Sequence, residues 1–226
     1  MADLIVAFDL ASGREALDLA ARLPSLRWAK LGPVLHVREG PALVREFVAR
    51  GIRVFLDLKW HDIPSVVAGA VEAAQSQGVA MATVHALAGP TVLAAARKAA
   101  GEGAMALVAA TVLTSHAAGD FEAVVGRGVP DLGIEAERLA RLAVGAGFRG
   151  VVASGHELTL LRKTLGPAPW IVVPGIRGPD DAAADQARTT TVSDAVRRGA
   201  THLVVGRPVT RATDPAGVYQ RLMESL

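Results

Sequence analysis

Cysteine is absent from the 226 residues. No disulfide framework, thiolate chemistry or thiolate metal site is therefore available. Apolar runs long enough to span a bilayer are absent too, since none approaches about 20 residues. Acidic Asp3 and Asp9 flank the first short apolar run, which suits a strand better than a cleaved leader. No excess of one charge exists either. The 24 basic and 22 acidic residues leave a net charge of +2, and the basic residues are spread along the chain, which argues against a nucleic-acid surface. The expectation is a soluble cytoplasmic protein with neither nucleic acid nor membrane as partner. Linkers and low-complexity tracts are lacking as well. With 51% hydrophobic residues, residues 1–226 suit one domain with a sizeable core.

Lysine is scarce in a different way. The basic residues are 20 arginines and only four lysines: Lys30, Lys59, Lys98 and Lys163. Lys98 and Lys163 fall in helical patterns and are expected at the surface. Lys30 and Lys59 each end an apolar, strand-like run. A compact ammonium with a tunable, transferable proton is something arginine cannot supply, which points to chemistry at these two positions.

Apolar strand-like runs recur at residues 4–10, 27–32, 54–60, 81–87, 106–113, 150–155, 170–176 and 202–209. Amphipathic or alanine-rich segments lie between them, at 14–23, 41–50, 63–77, 90–100, 134–146, 157–165 and 192–198, and a last one spans 215–223. Eight strand–helix units in this length predict a (β/α)8 TIM barrel rather than an open doubly wound sheet. The two longest loops, 114–133 and 177–191, both follow strands. Both therefore belong to the face where barrel active sites form.

The most informative stretch is Asp57-Leu58-Lys59-Trp60-His61-Asp62-Ile63-Pro64. Side chains alternate along a strand, so Asp57 and Lys59 should share one face and Leu56 and Leu58 the other. An acid and an amine at the end of a buried strand are costly unless paired. They make either a structural ion pair or a catalytic couple. Asp62 and Pro64 fit a helix start, with Asp62 as N-cap. Other candidates end neighbouring strands: Asp9, Lys30, His85 and Thr114, then Pro174-Gly175-Ile176-Arg177, then Gly206-Arg207. Gly175 and Gly206 let backbone come close to a ligand. Backbone N–H groups after the last two strands, with an arginine nearby, make the usual barrel phosphate site. Asp9 could instead cap the first helix. His85 reads as a hydrogen-bonded histidine rather than a metal ligand.

Asp9, Lys30, the D-x-K-x-x-D-I-P run, Pro174–Arg177 and Gly206-Arg207 together resemble the orotidine 5'-monophosphate decarboxylase family over nearly the whole chain. The resemblance implies a barrel homodimer without metal or organic cofactor, converting orotidine 5'-monophosphate to uridine 5'-monophosphate and CO2. It implies that Lys59 gives the proton to C6 of the pyrimidine, and that Asp57, Asp62 and Lys30 complete a charged array. Asp62 would enter from the partner subunit. Asp9 and Lys30 would hold ribose hydroxyls, and Thr114 the pyrimidine edge. Arg177, Gln186, Gly206 and Arg207 would hold the phosphate. The family usually has threonine where this chain has Val66, so one hydroxyl contact is missing. Keto-gulonate phosphate decarboxylases and hexulose phosphate synthases share D-x-K-x-x-D but use a divalent metal. The Asp-Ile-Pro continuation, Lys30, and Gly-Ile-Arg with Gln186 favour the nucleotide enzyme. A nucleotide-binding barrel without catalysis would bind phosphate ligands but not turn them over. The intact Asp57, Lys59 and Asp62 set argues against it.

Overall fold

Apolar strands alternating with helices have both sheet faces covered, and closing the sheet removes its exposed edges. The chain adopts this arrangement in the computed structural model, which describes residues 2–176 and 190–226. The strands are β1 (Asp3–Ala7), β2 (Trp28–Leu31), β3 (Arg53–Trp60), β4 (Met81–His85), β5 (Ala106–Ala110), β6 (Gly150–Val152), β7 (Trp170–Val173) and β8 (His202–Val205). They pair in parallel in chain order, and β8 returns to β1, giving the closed (β/α)8 barrel that the alternation predicts. The α-helices among the described residues are α1 (Gly13–Arg22), α2 (Pro33–Ala49), α3 (Pro64–Ser76), α4 (Pro90–Ala100), α5 (Ala118–Val125), α6 (Leu132–Gly145), α7 (Leu158–Leu165), α8 (Val192–Arg197), α9 (Arg207–Thr210) and α10 (Pro215–Glu224).

Strand parity decides which side chains reach the barrel interior. On β1, Leu4 and Val6 join the large apolar layer under the helices, while Ile5 and Ala7 point into the barrel. On β2, Ala29 and Leu31 face the helices and Trp28 faces inward, so Lys30 shares the inward parity of Trp28. On β3, Phe55 faces inward and Asp57 follows it. Lys30 and Asp57 thus sit above an apolar floor that includes Phe55 and Val204. At the opposite end of the barrel, the His202 ring packs 4.4 Å from Trp170 and 5.5 Å from Trp28.

Several boundaries differ from the sequence expectation. The 114–133 stretch is not a plain loop: it carries α5, whose Phe121 is fully buried. The eighth strand ends at Val205, and residues 207–210 are α9 rather than strand. Gly206 supplies its N-cap and Pro208 its first turn, and a proline cannot donate to a ladder. The second helix starts earlier than expected, at Pro33, and breaks at Gly40, where φ is +61° ahead of Pro41. Asp62 is not the N-cap of α3. Ile63 holds that position, and the Asp62 carboxylate accepts from the Ile63 N–H at 2.7 Å. Asp9 does not cap α1 either, because the Ser12 hydroxyl does so by accepting from the Glu15 N–H.

Candidate active site

The carboxyl ends of the strands surround a cavity of about 780 Å³. Asp9, just beyond β1, Lys30 on β2 and Asp57 and Lys59 on β3 line one side of it. Thr114 lines another part, and Pro174, Gly175, Gly206 and Arg207 line the region after β7 and β8. Gly175 has φ +78°, a backbone conformation that favours glycine. Gly206 needs no such conformation. A Cβ there would make only ordinary contact, 3.7 Å from Ala7.

The charged residues form one alternating row. Asp9 Oδ1 lies 3.0 Å from Lys30 Nζ, which lies 3.7 Å from Asp57 Oδ2. Asp57 Oδ1 in turn accepts from Lys59 Nζ at 2.9 Å. Lys30 and Asp57 are buried, whereas the Asp9 side chain is 58% exposed at the cavity mouth. Burial alone would raise the Asp57 carboxyl. The ammonium groups of Lys30 and Lys59, and hydrogen bonds from Lys59 and Thr83, outweigh it and hold the carboxyl below its ordinary value.

Asp57 and Lys59 line the cavity while Leu56 and Leu58 pack into the outer apolar layer, as strand alternation expects, but the backbone between them is irregular. The β3–β4 register shifts between Leu56 and Trp60: four steps on β3 face only the two from Ala82 to Val84. Within this irregularity Lys59 takes φ +50°, rare for a residue with a side chain. The expected pair exists on the expected face, within a local bulge that the sequence reading did not anticipate.

Asp62 is exposed and does not line the cavity of its own chain. Arg177 and Gln186 lie outside the described residues. Lys98 and Lys163 are exposed, as expected. The His85 Nδ1 accepts from the Leu87 N–H at 3.3 Å, so it is engaged as the hydrogen-bonded reading expects. Burial, then the nearby His61, Lys59 and His116, lower its pKa to about 4, leaving it neutral near pH 7. Among the described residues no three His, Asp or Glu side chains are grouped to hold a metal ion. Two contributors escaped the sequence reading. Thr83 is fully buried and bonded to the Asp57–Lys59 pair. Arg211, one helical turn after Arg207, lines the same cavity. A polar residue inside the apolar β4 run, and arginines four apart after β8, were the available signals.

A closed barrel with an acid–base row, and with Arg207 at the start of a short helix after the last strand, all at the carboxyl ends of its strands, defines a TIM-barrel enzyme. Known proteins make the class specific. The family model for the Orotidine 5'-phosphate decarboxylase / HUMPS family matches residues 2–222. Orotidine 5'-phosphate decarboxylase of Alkalilimnicola ehrlichii is 49% identical over 226 residues, spanning 99% of this chain and 95% of that protein. The enzyme of the same description from Nitrosospira multiformis is 43% identical over 224 residues, spanning 99% and 93%. Among solved structures, orotidine 5'-phosphate decarboxylase from Lactobacillus acidophilus superimposes with a TM-score of 0.88 at 29% identity, covering 100% of this chain and 99% of the other. The chain belongs to the Orotidine 5'-phosphate decarboxylase / HUMPS family.

Proposed function

We propose that the protein decarboxylates orotidine 5'-monophosphate to uridine 5'-monophosphate and CO2, the closing step of pyrimidine synthesis. One catalytic domain of residues 1–226 does this in the cytoplasm, without metal or organic cofactor. The observation that carries this reading is the Asp9–Lys30–Asp57–Lys59 row, set in one cavity with the Gly206-Arg207 turn.

The chemistry explains why such a row is needed. Breaking the bond between C6 and the carboxylate leaves the electron pair on C6, in the ring plane, where no π-system can absorb it. Fixed charge must stabilise it instead. The Lys59 ammonium faces the developing carbanion, gives it a proton as CO2 leaves, and is reprotonated from water. Asp57 stands beside the substrate carboxylate and keeps Lys59 and Lys30 in place. Asp9 and Lys30 hold ribose hydroxyls, and Thr114 bonds the pyrimidine edge. Arg177, Gln186, the Gly206 backbone and Arg207 hold the phosphate. Phosphate contacts far from C6 supply binding energy that organises the site.

Asp62 completes the array from a second copy of the chain. Its exposure supports this, as do the exposed apolar side chains beside it, Ile63 and Val66, and Val34 and Val37 on α2. Val66 lacks the hydroxyl found there in the family, so catalysis proceeds without that contact. Both oxygens of Asp57 face ammonium groups, which leaves that carboxylate poorly suited to a divalent cation. The test is to add orotidine 5'-monophosphate to protein held in EDTA and follow the ultraviolet absorbance of the pyrimidine. A full loss of the substrate signal is expected. An unchanged spectrum, with metal-dependent turnover of a keto-sugar phosphate, would move the protein to the sugar-phosphate branch.

A further inference from the structure

The irregularity in β3 leaves a problem that one side chain solves. Two extra residues on β3 face β4 between Leu56 and Trp60, so the regular backbone ladder is interrupted at Lys59. A buried N–H without a partner is costly. Thr83, on β4, shares the inward parity of Met81 and is fully buried. Its hydroxyl oxygen accepts from the Lys59 N–H at 2.8 Å, and its O–H donates to Asp57 Oδ1 at 3.0 Å. The same Asp57 oxygen receives the Lys59 ammonium at 2.9 Å. One hydroxyl therefore ties together the backbone that aims Lys59 and the carboxylate that orients its side chain. The positive φ of Lys59 is held by this tie rather than by residue preference.

We propose that Thr83 is a positioning residue for the decarboxylation: it locks the left-handed Lys59 backbone and fixes the Asp57 oxygen that receives the Lys59 ammonium. The inference rests on the decarboxylase reading for its effect on rate, but not for its effect on Asp57. Thr83 never touches substrate in this scheme. Its hydroxyl is spent on protein groups, so its loss affects kcat more than ground-state binding.

Thr83→Val keeps the shape and removes the hydroxyl, and Thr83→Ala does so without a methyl group pressed against Asp57. Thr83→Ser restores the hydroxyl. Melting temperature and circular dichroism identify the folded variants. In the folded hydroxyl-free variants kcat is expected to fall roughly 10- to 100-fold with KM within about twofold, as for a catalytic group displaced by about an ångström. Thr83→Ser is expected to stay within a few-fold of wild type in both. A second readout needs no substrate. Asp57 is faced by Lys30 from β2 and by Lys59 on its own strand, with Asp9 beyond Lys30 and His85 and His61 near Lys59. None of these is altered by the substitution. Loss of the Thr83 donor removes a bond to the ionised carboxylate, so the Asp57 titration followed by carboxyl carbon NMR should move to higher pH in the hydroxyl-free variants. The acid limb of the kcat profile should move with it. Wild-type kcat and an unmoved Asp57 titration in a folded Thr83→Val or Thr83→Ala variant would overturn the proposal. So would a Thr83→Ser protein as impaired as Thr83→Val. Wild-type protein that leaves orotidine 5'-monophosphate untouched would defeat the decarboxylase reading instead, and the NMR titration would still decide the role of Thr83.

Discussion

Replacing Lys59 with arginine keeps a positive charge at the end of β3 while removing the proposed proton donor. A guanidinium does not give up a proton near neutrality. Loss of a positioned acid lowers rates about 10²- to 10⁴-fold, or roughly 3–5 kcal/mol of barrier. The geometry adds a second loss. Lys59 Nζ sits 2.9 Å from one oxygen of Asp57, and Lys30 Nζ sits 3.7 Å from the other. The larger planar fork of arginine pairs with both oxygens at once, which turns the carboxylate away from Lys30 and misplaces the charge meant for C6. Misplacement of that size is worth about another 10²-fold. Lys59→Arg is therefore expected to lower kcat by about 10⁴-fold or more. The assay is loss of orotidine 5'-monophosphate absorbance over hours at high enzyme concentration. Retained binding of uridine 5'-monophosphate serves as the check on folding. Turnover within about tenfold of wild type would refute the proton-donor role.

Other outcomes are equally specific. Arg207→Ala should weaken uridine 5'-monophosphate by roughly 1.5–3 kcal/mol, the loss of a charge-assisted contact, while barely affecting uridine. Calorimetric titration of both ligands checks this, and equal weakening would show that Arg207 does not see the phosphate. Under the proposed shared-site dimer, mixing and reassembling inactive Lys59→Ala and Asp62→Ala proteins should restore activity to roughly one site in four, because each hybrid dimer of twofold symmetry would hold one intact site. Demonstrated subunit exchange without recovered activity would place Asp62 in its own subunit's site. Gly150→Ala should lower stability by about 1–3 kcal/mol in thermal melts. A Cβ there would lie 2.1 Å from the Trp170 carbonyl oxygen on β7, and paired strand backbone cannot give way as a flexible side chain can.

Strand count, closure and most of the charged row were legible from residue pattern, because apolar runs and the placement of two rare lysines depend on local sequence. Lys30 reaches the cavity by the parity that places Trp28 inside the barrel, and that parity can be read along β2. The bulge in β3 could not be read. It depends on how many residues of β4 oppose β3, a property of the pairing and not of either run. The role of Thr83 was hidden for the same reason, since it partners residues 24 and 26 positions away. The α5 helix was missed because its hydrophobic stripe is short and its N-cap is Ala117, which offers no capping side chain; the Asp120 carboxylate, reaching back to the Ala117 N–H, is the one cap at that end. The end of β8 was misplaced because Pro208 and Val209 continue an apolar run that the proline turns into a helix.

The most direct test of the central claim uses orotidine 5'-monophosphate labelled at its carboxyl carbon, added to protein held in EDTA. The label should leave as CO2 in step with, and in equal amount to, the uridine 5'-monophosphate formed. Retention of the label on the nucleotide, or release only after a divalent metal is restored, would contradict the account.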